Sequence, residues 1–122
     1  MIWWSLLSLA SADPLDAHLL YFVLVDRFEN GEKSNDVAVD TTDPQAFHGG
    51  DLQGLTQRLP YIQSLGADAI WISPIFHMRK SKFEGHGAFH GYWVQSLDAI
   101  EPAFGGEQAL IALAEESEKR GI

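Results

Sequence analysis

Two apolar runs and two helix-like stretches alternate along the chain. Residues 19–25 are seven consecutive apolar positions without polar alternation, and residues 69–72 form a shorter run of the same kind. Such runs are typical of strands that are buried on both faces of a parallel sheet. We therefore predict a first strand over residues 19–25 and a second strand over residues 69–72.

A helix with recognisable ends is predicted after the first strand. Asp51 is suited to cap its first turn, and Gly66 is suited to end it. Pro60 is expected to kink this helix, because proline removes one backbone donor and clashes with the preceding turn. Apolar residues recur at spacings of three and four, which predicts one buried face. That face consists of Leu52, Leu55, Leu59, Ile62 and Leu65.

A second helix is predicted between Gly105 and Gly121, after a long loop over residues 73–104. Its apolar face is expected to contain Leu110, Leu113 and Ala114. The order strand, helix, strand, helix predicts an α/β fold with parallel strands and crossover helices. In such folds the loops that follow the strands build the functional sites.

Length and charge narrow the possible roles of the protein. The 122 residues suit one small domain, and the net charge of −9 argues against nucleic acid or anionic lipid as a partner. Residues 1–12 carry no charged side chain and end in Ala-Ser-Ala, which resembles an export signal before a domain over 13–122. The alternative is a frayed N-terminus. Because the segment resembles an export signal, we predict a secreted or periplasmic protein. The segment is too short to span a bilayer, so we predict no stable membrane insertion.

An acidic loop over residues 26–51 is the main candidate for chemistry. It holds seven of the seventeen acidic residues of the chain and contains no cysteine. Calcium takes six to eight oxygen ligands from carboxylates, amides and backbone carbonyls. A run of Asx turns around Gly31 is the alternative, because local hydrogen bonds alone would favour it. The oxygen donors that could surround an ion are Asn30, Glu32, Asn35, Asp36, Asp51 and the carbonyl of Gly49.

Four stretches of the chain resemble the α-amylase family of glycoside hydrolases. They are residues 21–31 (YFVLVDRFENG), 47–55 (FHGGDLQGL), 65–74 (LGADAIWISP), and 89–93 (FHGYW) with 101–105 (EPAFG). The resemblance implies an α/β protein that forms the first two βα units of a (β/α)8 TIM barrel. A whole barrel takes about 250 residues, so we expect the chain to be an N-terminal fragment of the catalytic domain.

The resemblance also assigns roles to particular residues. It implies that the six oxygen donors of the acidic loop are calcium ligands, with Glu32 standing where the family usually has Asp or Asn. It implies that His90 and Tyr92 line the sugar subsite beside the scissile bond, while Trp93 packs against the core or wall. A zinc site built from His77, His86 and His90 is not favoured, because their loop has no helical register that would present them together.

The function implied by the resemblance is cleavage or transfer of α-glucosidic linkages in starch-like glucans by a retaining mechanism. The family uses carboxylates on later strands, and no residue of this chain matches those catalytic motifs. We therefore predict that the 122 residues alone are inactive. The alternative is a non-catalytic fragment that binds carbohydrate or calcium, or a relative that has lost the chemistry.

Overall fold

The computed structural model describes residues 19–122, so the predicted export signal over residues 1–12 lies outside the described residues. Strand β1 (Leu20–Val23) and strand β2 (Ala69–Ile72) form a parallel pair. In their register Leu20 lies opposite Ala69 and Val23 lies opposite Ile72. The predicted parallel arrangement is confirmed. No helix in this part of the chain is long and apolar enough to cross a membrane.

Strand β1 is shorter than the apolar run that predicted it. After Leu24 the chain turns into helix α1 (Val25–Phe28), so the prediction of a strand up to residue 25 is wrong at its end. The backbone N–H of Val25 donates to the hydroxyl of Ser73 at 3.1 Å instead of continuing the ladder. An apolar run by itself does not distinguish a strand from a buried helical turn.

The predicted helix after the acidic loop forms as two short helices, α2 (Leu52–Gln57) and α3 (Leu59–Ser64). Pro60 lies in the first turn of α3, where its missing N–H has no intrahelical partner to lose. The helix is therefore broken at Arg58 and not merely kinked. Gly66 follows the end of α3 with a φ of 82°, as predicted. Leu65 is 44% exposed and does not belong to the buried face, because it lies beyond the last turn.

The segment over residues 73–104 is not the unstructured loop that the pattern predicted. It contains strand β3 (Phe76–Met78) and strand β4 (Val94–Ile100), which pair antiparallel with irregular register. Most residues of β4 are exposed, and buried and exposed positions do not alternate along the strand. Their pairing therefore depends on a partner that lies far away in the sequence, which a short sequence window does not show.

Helix α4 (Gly106–Arg120) packs against α2 and closes the core. It ends at Gly121, which has a φ of 73°, as predicted. Its buried residues are Ala109 and Leu113, whereas Ala114 is exposed, so the predicted apolar face was wrong at that position. Residues 109 and 113 are four apart and share one side of the helix, while residue 114 is turned about 100° away.

One face of the β1–β2 pair carries exposed aromatic side chains. Phe22 and Trp71 pack edge to face at 5.8 Å, yet they are 51% and 58% exposed. We predict that the 122-residue chain self-associates through this face and that the double variant F22S/W71S increases its monomeric fraction in light scattering. Tyr61→Ser, at an exposed aromatic of α3, is the matched control and should leave association unchanged. An equal effect of both changes would contradict the prediction.

Candidate functional site

Asp51 organises the acidic loop at the start of α2. Its side chain is buried, and Oδ1 accepts from the N–H of Gly54 at 2.7 Å and of Gly31 at 3.0 Å. Its Oδ2 accepts from the N–H of Glu32 at 2.9 Å and from Nδ2 of Asn35 at 3.0 Å. A carboxylate offers about four acceptor positions, so these donors saturate it. Asp51 therefore caps the helix and fixes the loop by the same contacts.

Two amide oxygens beside Asp51 are buried without a hydrogen-bond partner among the described residues. They are Oδ1 of Asn30 and Oδ1 of Asn35. The Nδ2 group of Asn30 donates to both carboxylate oxygens of Asp36, at 2.9 and 3.1 Å. Leaving a buried acceptor unpaired costs about 1–3 kcal/mol, and amide oxygens are ligands that hard cations accept. The loop thus contains two oxygens that could bind a cation and that have no hydrogen-bond partner among the described residues.

Gly49 brings the backbone directly against this cluster. It has a φ of 89°, and a Cβ added there would lie 2.4 Å from Nδ2 of Asn30 and 2.7 Å from Oδ1 of Asp36. Only glycine combines this backbone conformation with so close an approach. The structure therefore gathers five of the six predicted residues into one cluster, namely Asn30, Asn35, Asp36, Gly49 and Asp51.

Glu32 is the predicted ligand whose side chain lies apart from this cluster. Its Oε1 accepts from the N–H of Ser34 at 2.9 Å, which caps the 3-10 turn Lys33–Asn35. This hydrogen bond lowers the pKa of the exposed Glu32 carboxyl. Within residues 19–122 no group of three His, Cys, Asp or Glu side chains could hold a metal ion. A cation in the acidic loop would therefore depend on amide and backbone oxygens beside a carboxylate, and no three histidines come together within the described residues.

Asp26 is a buried acid to which the sequence analysis assigned no role. Its carboxylate accepts from the N–H of His48 at 3.0 Å and of Gly49 at 3.3 Å, and it forms an ion pair with Arg27. Burial raises its pKa, while the two N–H groups and the guanidinium favour its charged form. Its position in the sequence could have indicated a role at the end of the first strand, because Asp26 is the first charged residue after the apolar run.

His90, Tyr92 and Trp93 form an aromatic cluster between the two strands of the β3–β4 hairpin. The rings of His90 and Tyr92 stack with centroids 5.8 Å apart and planes inclined by 23°, and the Tyr92 side chain is exposed. Trp93 meets His90 edge to face at 4.7 Å and packs partly against the core. The structure therefore brings together the two residues predicted to line a sugar subsite, with Trp93 behind them.

The ring of His90 is held in one tautomer. Its Nδ1 accepts the N–H of Tyr92 at 3.0 Å, so Nε2 carries the proton in the neutral imidazole. Partial burial lowers the pKa of His90. The site therefore presents a neutral imidazole, with Nε2–H as a donor, at neutral pH.

The lowered pKa of His90 predicts acid sensitivity of this site. A histidine whose folded pKa is depressed stabilises the fold above its ordinary value of about 6.5, and that contribution is lost as the pH falls through the folded pKa. His90→Gln should therefore flatten this part of the melting-temperature profile below about pH 6.5. Thermal denaturation across the pH range measures the effect, with NMR titration of the imidazole as an independent check. Identical profiles for parent and variant would contradict the prediction.

Comparison with known proteins agrees with this geometry. The family model described as the α-amylase catalytic domain matches residues 22–122. The periplasmic α-amylase of Escherichia coli (strain K12) is 40% identical over 123 residues, covering 89% of this chain and 18% of that protein. The cyclomaltodextrin glucanotransferase of Klebsiella oxytoca is 36% identical over 107 residues, covering 78% of this chain and 16% of that protein.

The fold comparison gives the same result. The crystal structure of an Anoxybacillus α-amylase superposes with a TM-score of 0.77 at 43% identity, covering 84% of this chain and 22% of the other. The chain thus spans less than a quarter of the length of each of these relatives. Together with the parallel β1–β2 pair, these matches show that the chain belongs to the α-amylase family and corresponds to the N-terminal part of its catalytic (β/α)8 barrel.

Proposed function

We propose that the protein acts on α-glucosidic linkages of starch-like glucans and that residues 19–122 supply one wall of the sugar site. The exposed ring of Tyr92, stacked on His90 at 5.8 Å, is the observation that carries this proposal. A pyranose ring presents an apolar face that packs on an aromatic ring, and its hydroxyls accept or donate hydrogen bonds. The fixed Nε2–H of His90 is a donor suited to such a hydroxyl.

The reaction proposed for the whole barrel follows a retaining course. Two carboxyl groups about 5 Å apart act as nucleophile and acid/base through a glycosyl-enzyme intermediate. No residue of this chain matches those groups, so its own part is to bind and orient the sugar. The relatives include an α-amylase and a glucanotransferase, so the proposal covers both hydrolysis and transfer.

We further propose that the acidic loop holds a structural calcium ion. The unpaired amide oxygens of Asn30 and Asn35 support this, together with the carboxylate of Asp36 and the backbone of Gly49 beside them. The ion would satisfy these buried oxygens and fix the loop against the start of α2. The Glu32 carboxylate, which is exposed and accepts from the N–H of Ser34, is not among the oxygens that support this site.

The proposed place of action is outside the cytoplasm. The uncharged stretch over residues 1–12 supports export, and one relative is a periplasmic enzyme. An N-terminal sequence of the mature protein that begins at Asp13 would agree with a cleaved signal. Retention of Met1 in protein recovered from the cytoplasm would contradict it.

The sugar role is tested in a barrel hybrid, in which residues 19–122 replace the matching residues of the E. coli periplasmic α-amylase. Loss of one aromatic stacking contact is worth about 0.5–1.5 kcal/mol, so Tyr92→Ala should lower kcat/KM on soluble starch by roughly two- to tenfold. Tyr61→Ala is the control, because Tyr61 is an exposed aromatic on α3. An unchanged kcat/KM for Tyr92→Ala would overturn the proposal.

The 122-residue chain itself is assayed beside the hybrid. We expect no turnover of soluble starch by this chain, since it carries no residue that matches the catalytic carboxylates. Turnover by the purified chain would refute that expectation. Sugar binding without turnover in the whole protein would instead favour a non-catalytic carbohydrate-binding role.

The calcium role is tested by titration calorimetry on the chain and on the hybrid after treatment with a chelator. We expect saturable binding and a higher melting temperature, both lost in Asn35→Ala. Asp40→Ala is the control, since the Asp40 side chain accepts from Thr42 in the same loop and lies outside the cluster. Absence of binding in both proteins would refute the site.

A further inference from the structure

Arg27 stands between the acidic loop and the aromatic cluster. Its Nη2 donates to the carbonyl of Pro44 at 2.8 Å and to the carbonyl of Ala46 at 2.9 Å, while its Nη1 pairs with the buried carboxylate of Asp26. Only 22% of its side chain is exposed. A guanidinium held by several hydrogen bonds in a plane has little freedom to rotate.

The same ion pair reaches the proposed calcium ligand Gly49. The carboxylate of Asp26 accepts from the N–H groups of His48 and Gly49. The backbone carbonyl of Asp26 accepts from the N–H of Gly50 at 2.9 Å. The segment over residues 44–50 is therefore held to the Asp26–Arg27 pair at both of its ends. A shift of that segment would have to break these contacts or carry the guanidinium with it.

The flat face of the guanidinium packs against an aromatic ring beside the proposed sugar site. The carbon Cζ of Arg27 lies 3.7 Å from the centre of the Phe89 ring. The Phe89 ring in turn packs edge to face on His90 at 5.4 Å, and His90 stacks on Tyr92. Contact is therefore continuous from the backbone of the acidic loop to the rings that we propose to face the sugar.

We propose that Arg27 is a positioning residue that couples calcium binding in the acidic loop to sugar binding at His90 and Tyr92. This inference rests on the proposed function. The hydrogen bonds that the guanidinium donates to the carbonyls of segment 44–50 fix its plane, and that plane sets the position of Phe89 and His90. An ion that fixes the loop thereby orders the sugar wall, and a bound sugar strengthens calcium binding by the same factor, because coupling between two sites is reciprocal.

Two substitutions interrupt this contact path at different points. Arg27→Lys keeps the positive charge but loses the planar fork and the face that packs on Phe89. Phe89→Leu removes the ring and leaves every hydrogen bond from Arg27 to the loop in place. Arg58→Lys is the matched control, because Arg58 also lies over an aromatic ring, Tyr61 at 5.0 Å, and near a carboxylate, Glu29 at 3.6 Å.

The experiment measures both sites with and without calcium. In the barrel hybrid, with the catalytic carboxylates of its E. coli part replaced by amides so that maltoheptaose is bound but not cleaved, calcium should lower the Kd for maltoheptaose by about fivefold or more, which is the lower end of typical coupling between sites. Hydrogen exchange on the full chain should show slower exchange across residues 86–93 when calcium is added. We expect Phe89→Leu to bind calcium as the parent does while both responses disappear, and Arg27→Lys to lose both responses as well.

Different outcomes test the coupling through Arg27 and the proposed calcium and sugar sites separately. Responses in both variants that equal those of the parent and of Arg58→Lys would overturn the role of Arg27. A parent that binds calcium and maltoheptaose independently would also overturn the coupling, while leaving both sites standing. A parent that binds neither ligand would refute the proposed function itself. A general loss of stability would lower the melting temperature of a variant. It would leave unchanged the ratio of its Kd for maltoheptaose without calcium to its Kd with calcium.

Discussion

Asp51→Ala is expected to lower the free energy of unfolding by about 3–5 kcal/mol and to abolish calcium binding. The carboxylate is buried and accepts from the N–H groups of Gly31, Glu32 and Gly54 and from the amide of Asn35. Loss of a helix cap costs about 1 kcal/mol, and each buried donor left unpaired adds about 1–3 kcal/mol, offset by any water that enters.

Urea denaturation of the barrel hybrid measures this change. Asp40→Ala is the comparison, because the exposed Asp40 carboxylate accepts from the N–H of Thr42 at 2.9 Å within a single turn. We expect Asp40→Ala to cost less than about 1 kcal/mol, as is usual for an exposed turn residue. Equal losses for the two variants would show that Asp51 does not organise the loop.

Gly54→Ala is expected to destabilise the protein by about 3 kcal/mol, although alanine is the better helix former by about 1 kcal/mol. A Cβ at position 54 would lie 2.0 Å from the carbonyl oxygen of Glu29 and 2.9 Å from the backbone nitrogen of Gly31. The backbone has little room to retreat, because the carbonyl of Glu29 also accepts from the N–H of Asp51 at 3.0 Å.

The matched change is Gly66→Ala. Position 66 has a φ of 82° and no atom within 4 Å of an added Cβ, so this variant carries the backbone penalty alone. That penalty is about 1–2 kcal/mol. Unfolding free energies should therefore rank parent, Gly66→Ala, Gly54→Ala from most to least stable. A Gly54→Ala protein as stable as the parent would mean that the loop does not pack on α2 as described.

Both predictions bear on what calcium would do in this protein. The acidic loop is already tied to the start of α2 by a carboxylate and by close backbone packing, so an ion would not have to create its fold. Its contribution would be to pair the buried oxygens of Asn30 and Asn35, which lack protein partners in the described chain. Calcium removal should accordingly loosen the loop before it unfolds α2.

The aromatic cluster contains the two residues that the family resemblance assigned to a sugar subsite. His90 and Tyr92 were placed together by the family resemblance, and the structure stacks their rings. Their separation of two residues is short, so a single turn at Gly91 is enough to juxtapose them. Their role toward sugar stays a prediction until the hybrid is assayed.

The sequence by itself determined the features that neighbouring residues enforce. The apolar runs marked β1 and β2, Asp51 marked the start of α2, and the glycines at positions 66 and 121 marked the ends of α3 and α4. Each of these depends on hydrogen bonds or side-chain spacing within a few residues, so the local pattern carries enough information.

Only the tertiary structure decided the features that depend on distant partners. The β3–β4 hairpin pairs strands separated by a long segment. The Glu32 carboxylate accepts from Ser34, whereas Asn35 donates to Asp51. The link from Asp26 and Arg27 to Phe89 appears in no motif, because it joins residues far apart in the chain. Contacts of this kind are selected by packing of the whole fold, and a local pattern of polar and apolar positions does not encode them.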